Sequence, residues 1–283
     1  MALVARPPPH HRAGRLIMQR PLVVIPHLVR MYVRTRFEYP GATMLGWLSQ
    51  IVAYGGIYTA IALIVTRFGN LGGWIWPEMA LLLSFHLLAY SLGASFSFTQ
   101  FRDIEEKVRL GTFDAVLVKP IGAWTYLVFS GINIGYAGHV LLALGLMAWS
   151  LPQVGADWTP LTVLFFLATL VSSAAMVCAT MTMIGATALV WVKSSHLYSI
   201  FFGFWELARY PLQIFPFPLQ ILMLTFVPLG FLAYVPVAVA LGKPVALLGS
   251  AAPLAALAIG PLWVLIAMAH WHYCLRNYQG AGG

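Results

Sequence analysis

Residues 101–121 read FRDIEEKVRLGTFDAVLVKPI, and they carry eight of the chain's twenty-four formal charges: Arg102, Asp103, Glu105, Glu106, Lys107, Arg109, Asp114 and Lys119. Long apolar runs flank the stretch on both sides. A charged side chain at the centre of a bilayer costs about 2.5–3.5 kcal/mol on insertion scales, so this stretch belongs in water between two spans. Working outward, 60% of the residues are hydrophobic, 8% are charged and the mean hydropathy is +0.83. A soluble domain carries about a quarter charged residues. Several runs exceed the roughly 20 residues that a helix needs to cross the hydrocarbon, and they are continuously apolar rather than alternating. The fold class is therefore an all-α membrane protein.

The net charge of +8 points to a membrane surface rather than to nucleic acid. Seven of the sixteen basic residues (Arg6, Arg12, Arg15, Arg20, Arg30, Arg34, Arg36) precede the first span, where basic residues mark the cytoplasmic side and its anionic lipids. The two cysteines, Cys178 and Cys274, form neither a disulfide framework nor a metal spacing. Residues 1–14 lack the apolar core of a cleavable leader.

In chain order, residues 1–20 read as a disordered basic N-terminus, rich in Pro, His and Arg. Residues 21–37 read as an amphipathic interfacial helix, with Leu22, Ile25, Leu28 or Val29, Tyr32 and Val33 between Arg30, Arg34 and Arg36. Spans are expected over 43–66, 79–99, 123–151 and 160–191, with Trp74 and Trp76 in the aromatic belt of the far interface. A shorter apolar stretch, 197–210, contains Glu206 and Arg209. Residues 211–241 hold Pro211, Pro216, Pro218, Pro228 and Pro236, too many for one straight helix. That region is either an outer re-entrant hairpin after a fifth span or a further full span. A last span covers 245–270, within a permease-like region of 43–275. Six spans put both termini on the cytoplasmic side, with thirteen basic residues inside and Arg67, Arg209 and Lys243 outside. Seven spans leave that tally equal, and the Pro/Gly-broken pattern favours six with a re-entrant segment.

Within the island, Phe101, Ile104 and Val108 fall on one helix face. Arg102/Glu106, Asp103/Lys107 and Glu105/Arg109 are i, i+4 pairs. Gly111 stands where a helix C-cap belongs, Thr112 suits the cap of a second short helix, and Pro120 stops it. This predicts a folded elbow. Within the spans, His86, Asn133, Glu206 and Arg209 are candidates for a pathway or gate, although burial, packing or mutual pairing accounts for each as well. Gly131 and Gly135 form a G-x-x-x-G suited to close helix packing. No catalytic constellation and no G-x-x-x-x-G-K-[ST] is present; the one Gly-Lys, Gly242-Lys243, is followed by Pro244.

Residues 104–121 resemble the segment between the second and third spans in permease subunits of ABC type-2 transporters. Gly111, Phe113, Asp114, Val116, Leu117, Lys119 and Pro120 match the family's order of Gly, a hydrophobic–acidic pair, aliphatics, a basic residue and Pro. FEYPGATMLGWL at 37–48 and VPLGFLAYVPVAVALG at 227–242 are similar to the family's first membrane-entering segment and its extracellular re-entrant region. Pro40 departs from the basic residue often found after Glu-Tyr. The likeness runs over about residues 22–275 and is nearest to a six-span branch. It implies that 101–121 is a coupling element seated on a cytosolic ATPase subunit, with ATP and Mg bound there and no cofactor or metal in this chain. It also implies a second permease subunit, identical or a sibling, and export of a hydrophobic or amphipathic substrate. Membrane lipids are further partners. A membrane-embedded lipid-modifying enzyme, with Glu206 or His86 as its acid or base, and an ATP-independent carrier are the alternative functions.

Overall fold

The computed structural model describes residues 37–280 continuously and, before them, residues 25, 26, 28–31 and 34. The residues read as a disordered terminus, 1–20, lie outside the described ones. Of the interfacial segment, the described positions 25, 26, 28–31 and 34 are helical, with Arg30 and Arg34 exposed and Leu28 and Val29 half-buried.

The helices are α1 (Pro40–Phe68), α2 (Trp76–Ser95), α3 (Phe98–Arg102), α4 (Ile104–Arg109), α5 (Asp114–Leu117), α6 (Ala123–Ser130), α7 (Ala137–Ser150), α8 (Pro160–Trp191), α9 (Ser195–Leu207), α10 (Phe217–Leu224), α11 (Tyr234–Ala240) and α12 (Ala252–Arg276). Among the described residues, four stretches, 40–68, 76–95, 160–191 and 249–276, are long and apolar enough to cross a membrane, and up to six if each of two bent pairs counts as one crossing. Pro40 and Pro160 start α1 and α8, where a missing N–H costs nothing.

The spans depart from straight helices in three places. The third bends by 45° between α6 and α7. Residues 131–133 are not helical, so Gly131 and Gly135 do not share one helix face. A Cβ on Gly131 would fall 2.7 Å from Gln100 Cγ, so the close approach there is to the elbow's first turn. The second departure is α9, whose 13 residues rise only about 20 Å, short of the roughly 30 Å hydrocarbon. The chain goes on outside the α-helix to the end of the bundle opposite the elbow, where Gln213 Nε2 donates to Gly72 O at 2.6 Å.

The third departure is the segment that follows. Its start is held at Gly72, and its end returns to the same loop, where Lys243 Nζ pairs with Glu78 at 3.0 Å and donates to Gly73 O at 3.1 Å. Between these ties α10 and the 229–240 stretch meet at 78°. The turn dips to Ser173, whose hydroxyl donates to Phe231 O at 2.9 Å, about 20 Å along α8 from its N-terminal end. Trp74 is fully buried under Lys243, 5.2 Å from its ring centroid, and does not face a lipid belt.

The mast of the bundle is α8, against which α2, α11, α12 and the elbow all pack. Lipid tails are as apolar as leucine, so close backbone approach and hydrogen bonds hold such helices together. A Cβ on Gly260 would meet Ser172 Cα at 2.7 Å, which explains the glycine at that crossing. Pro261 lies inside α12 and cannot donate to the carbonyl of Leu257. Ser172 of α8 makes up for it: its hydroxyl donates to Leu257 O (3.0 Å) and Ala256 O (2.9 Å) and accepts from Gly260 N (3.0 Å). Ser172→Ala should cost about 1 kcal/mol, or about 2–4 °C in thermal midpoint. The loss should shrink in a Pro261→Ala background, where residue 261 supplies its own N–H to Leu257. Thermal unfolding of the four purified proteins checks this; equal losses in both backgrounds contradict it.

Candidate functional site

The elbow folds as its local signals require. Helix α4 ends in a Schellman turn: Gly111 N–H donates to Val108 O (3.1 Å) and Thr112 N–H to Lys107 O (2.9 Å), with Gly111 at φ +67°. The Thr112 hydroxyl turns back to Lys107 O (3.4 Å) instead of capping the helix that follows. Phe101, Ile104 and Val108 are buried, as are Phe113 and Val116, against Ala186 and Leu189 of α8 and Trp271 and Cys274 of α12. Gly185 of α8 admits the Phe101 backbone, since a Cβ there would lie 2.6 Å from Phe101 O. Phe113 packs edge-on against Tyr278, with ring centroids 5.1 Å apart. The elbow is thus bolted by apolar surface to the C-terminal ends of α8 and α12.

Its other face is open. Arg102, Glu106, Arg109, Asp114, Lys119 and Pro120 are exposed, and Asp103 and Lys107 are half-buried. Asp103 and Lys107 form the expected pair at 3.8 Å, whereas Arg109 pairs with Glu106 at i, i+3, also at 3.8 Å. Arg102 lies over the Phe98 ring, 5.6 Å from its centroid. Among these charges stand Leu110, Leu117 and Val118, 60%, 41% and 81% exposed. Leu110 and Val118 are not among the residues that the sequence singles out, and Leu117 enters only through the family resemblance. Their signal was present in the sequence: aliphatics off the Phe101/Ile104/Val108 face have nothing in the chain to cover them.

Glu105 departs from its expected partner Arg109. Its Oε2 accepts the N–H groups of Ser194 and Ser195, each at 2.8 Å, and lies 3.4 Å from the Ser194 hydroxyl. These are the first N–H groups of α9, which has no capping bond from its own side chains. Burial pushes the Glu105 carboxyl up, but those hydrogen bonds and the charge of Lys193 outweigh it and hold it below the ordinary carboxylate range. A cleft of about 930 Å³ opens between the elbow and α9, lined by Phe98, Arg102, Glu105, Lys193, Tyr198 and Phe202 among others.

The remaining candidates lie deeper. Asn133 pins the break in the third span: its N–H donates to Ser95 O (2.8 Å), its Nδ2 to Thr99 Oγ1 (3.2 Å), and its Oδ1 accepts from Gly135 N (2.9 Å). His86 is fully enclosed, its ring 4.7 Å from that of Trp205, and neither ring nitrogen has a hydrogen-bond partner. Glu206 and Arg209 form a two-pronged pair at 2.6 and 2.7 Å. The Arg209 side chain is 6% exposed and stacks over Trp205 at 4.5 Å, whereas that of Glu206 is 55% exposed. Ser195, Ser199, Gly203 and Glu206 share the exposed face of α9. Among the described residues no group of three or more His, Cys, Asp or Glu is placed to hold a metal.

The unequal burial of the Glu206–Arg209 pair makes an asymmetric prediction. Glu206→Gln leaves a buried guanidinium uncompensated and should cost about 3 kcal/mol. Arg209→Met should cost less, and the double variant should recover much of the Glu206→Gln loss. Thermal unfolding of the three proteins is the check; additive losses contradict the account.

A family model described as ABC-2 family transporter protein matches residues 51–282. Neither a curated protein nor a solved structure matches the chain.

Proposed function

The chain belongs to the ABC-2 family of transporter proteins, and from that premise we propose that it is the membrane subunit of an ATP-driven exporter whose ATPase is a separate polypeptide. The observation that carries this reading is the open face of the elbow. Leu110, Leu117 and Val118 are exposed among Glu106, Arg109, Asp114 and Lys119, on a segment too charged to enter lipid. Exposed aliphatics rimmed by charges mark a protein-binding surface. Anchorage of the elbow to α8 and α12 makes it a lever: a partner that displaces it moves the inner ends of both helices.

In this reading the elbow and both termini face the cytoplasm, and ATP and Mg are held by the partner. The passage through α9 to Gln213 is the fifth of six crossings. The segment tied at Gly72 and Lys243 is an outer re-entrant hairpin, because both of its ends meet one loop. Substrate passes along the face of α9 that carries Ser199, Gly203 and Glu206, against a second permease subunit. A polar stripe left bare toward lipid is costly, and a partner subunit or an amphipathic substrate relieves that cost. The lipid-modifying reading has less support, since His86 is sealed from head groups and Glu206 is engaged by Arg209.

Leu110→Asp, Val118→Asp and the double reversal Glu106→Lys/Arg109→Glu should each reduce the ATPase subunit co-purified with the tagged chain by about tenfold or more, in line with loss of an interface anchor. Yield and circular dichroism of the chain should not change. Retained ATPase in all three variants overturns the proposed surface.

A further inference from the structure

Glu105 sits within the elbow, and its carboxylate reaches across the cleft onto the start of α9. The 13-residue α9 begins at Ser195, and its leading N–H groups would have no acceptor without this carboxylate. Ser194 is a residue type suited to cap in cis, but its side chain makes no such bond. The other links across the cleft are rings: Phe98 meets Tyr198 at 5.9 Å and Phe202 at 5.5 Å. Ring contacts of this kind resist separation but set no direction, whereas a carboxylate on two N–H groups fixes the position of α9 along its own axis. The turn into α9 also contains Val192 at φ +64°, a β-branched residue in the left-handed region. Such strain persists only where the surroundings hold it in place.

We propose that Glu105 is a positioning residue: by capping α9 from the elbow, it makes the two move as one body and carries displacement of the elbow to the Glu206–Arg209 end of α9. The inference rests on the transporter reading above and adds a route of transmission to it. It divides the elbow by role. Leu110 and Val118 face the partner, and Glu105 reaches across the cleft, whose rim Glu106 and Arg109 share, to the start of α9. Motion of the α8 and α12 ends alone leaves α9 free to lag behind. With Glu105 in place, α9 follows.

The test uses the complex of the full chain with its ATPase, reconstituted in liposomes and carrying spin labels at Leu63 of α1 and Ile200 of α9, both exposed and Ile200 outside the Ser199/Gly203/Glu206 stripe. Distances are measured with and without ATP·Mg in wild type, Glu105→Ala and Glu105→Gln. In wild type, ATP should populate a second Leu63–Ile200 distance. Glu105→Ala should cut the ratio of shifted to unshifted molecules about tenfold, as expected for loss of a charge-assisted hydrogen bond, while ATPase co-purification stays within about twofold of wild type. Glu105→Gln keeps an acceptor oxygen without the charge, and its shift should lie between the two. An undiminished shift in Glu105→Ala overturns the proposal. So does loss of ATPase binding in both variants, which makes Glu105 a docking residue. If the wild-type complex forms but ATP moves nothing, the latch fails while the docking surface stands. If no ATPase joins the wild-type chain, the transporter reading itself fails.

Discussion

The structure depends on one incompatibility, that between the charges of residues 102–119 and the hydrocarbon on either side of them. Excluded from lipid, the segment must stay at one end of the bundle, and its apolar stripe decides how it sits there. Phe101 and Ile104 are fully buried and Val108 nearly so. Burial of such side chains is worth about 1.5–3 kcal/mol each where water is the alternative. That energy is available only at this water-exposed end. It sets the elbow on α8 and α12 and leaves the aliphatics of the opposite face, Leu110, Leu117 and Val118, uncovered.

Deeper in the bundle the hydrophobic effect no longer discriminates, and polar contacts take over. Ser172 satisfies the carbonyl orphaned by Pro261, Ser173 holds the hairpin turn at Phe231, and the Thr180 and Thr182 hydroxyls accept the indole N–H groups of Trp263 and Trp124. These bonds all involve α8. One helix therefore carries the hairpin, the last span and the elbow, and a disturbance at its inner end is felt by each.

Much of this was legible in the sequence, because it follows from local rules. Composition and run length identify an all-α membrane protein. The i, i+3, i+7 stripe of Phe101, Ile104 and Val108 marks the face that is buried, and Gly111 ends its helix as C-cap chemistry demands. What escaped reading depends on contacts between distant residues. Glu105 has an i, i+4 partner in Arg109, but two free helix N–H groups some ninety residues away outcompete an exposed guanidinium. Trp74 suits a belt by type and is buried by Lys243, and the G-x-x-x-G of Gly131 and Gly135 falls on a break that Asn133 holds open. The return of 214–242 to its starting loop rests on Gln213 and Lys243, residues that no local pattern distinguishes.

The central claim is that the elbow's open face is where another protein binds, and its most direct test is covalent capture. A photo-cross-linking residue at Val118 is compared in native membranes with one at Phe68, equally exposed but at the opposite end of the bundle. The account predicts a single adduct from Val118, containing an ATPase subunit identified by mass spectrometry, and none of that subunit from Phe68. Adducts at Val118 with lipid alone, or equal capture of the ATPase at both positions, would contradict it.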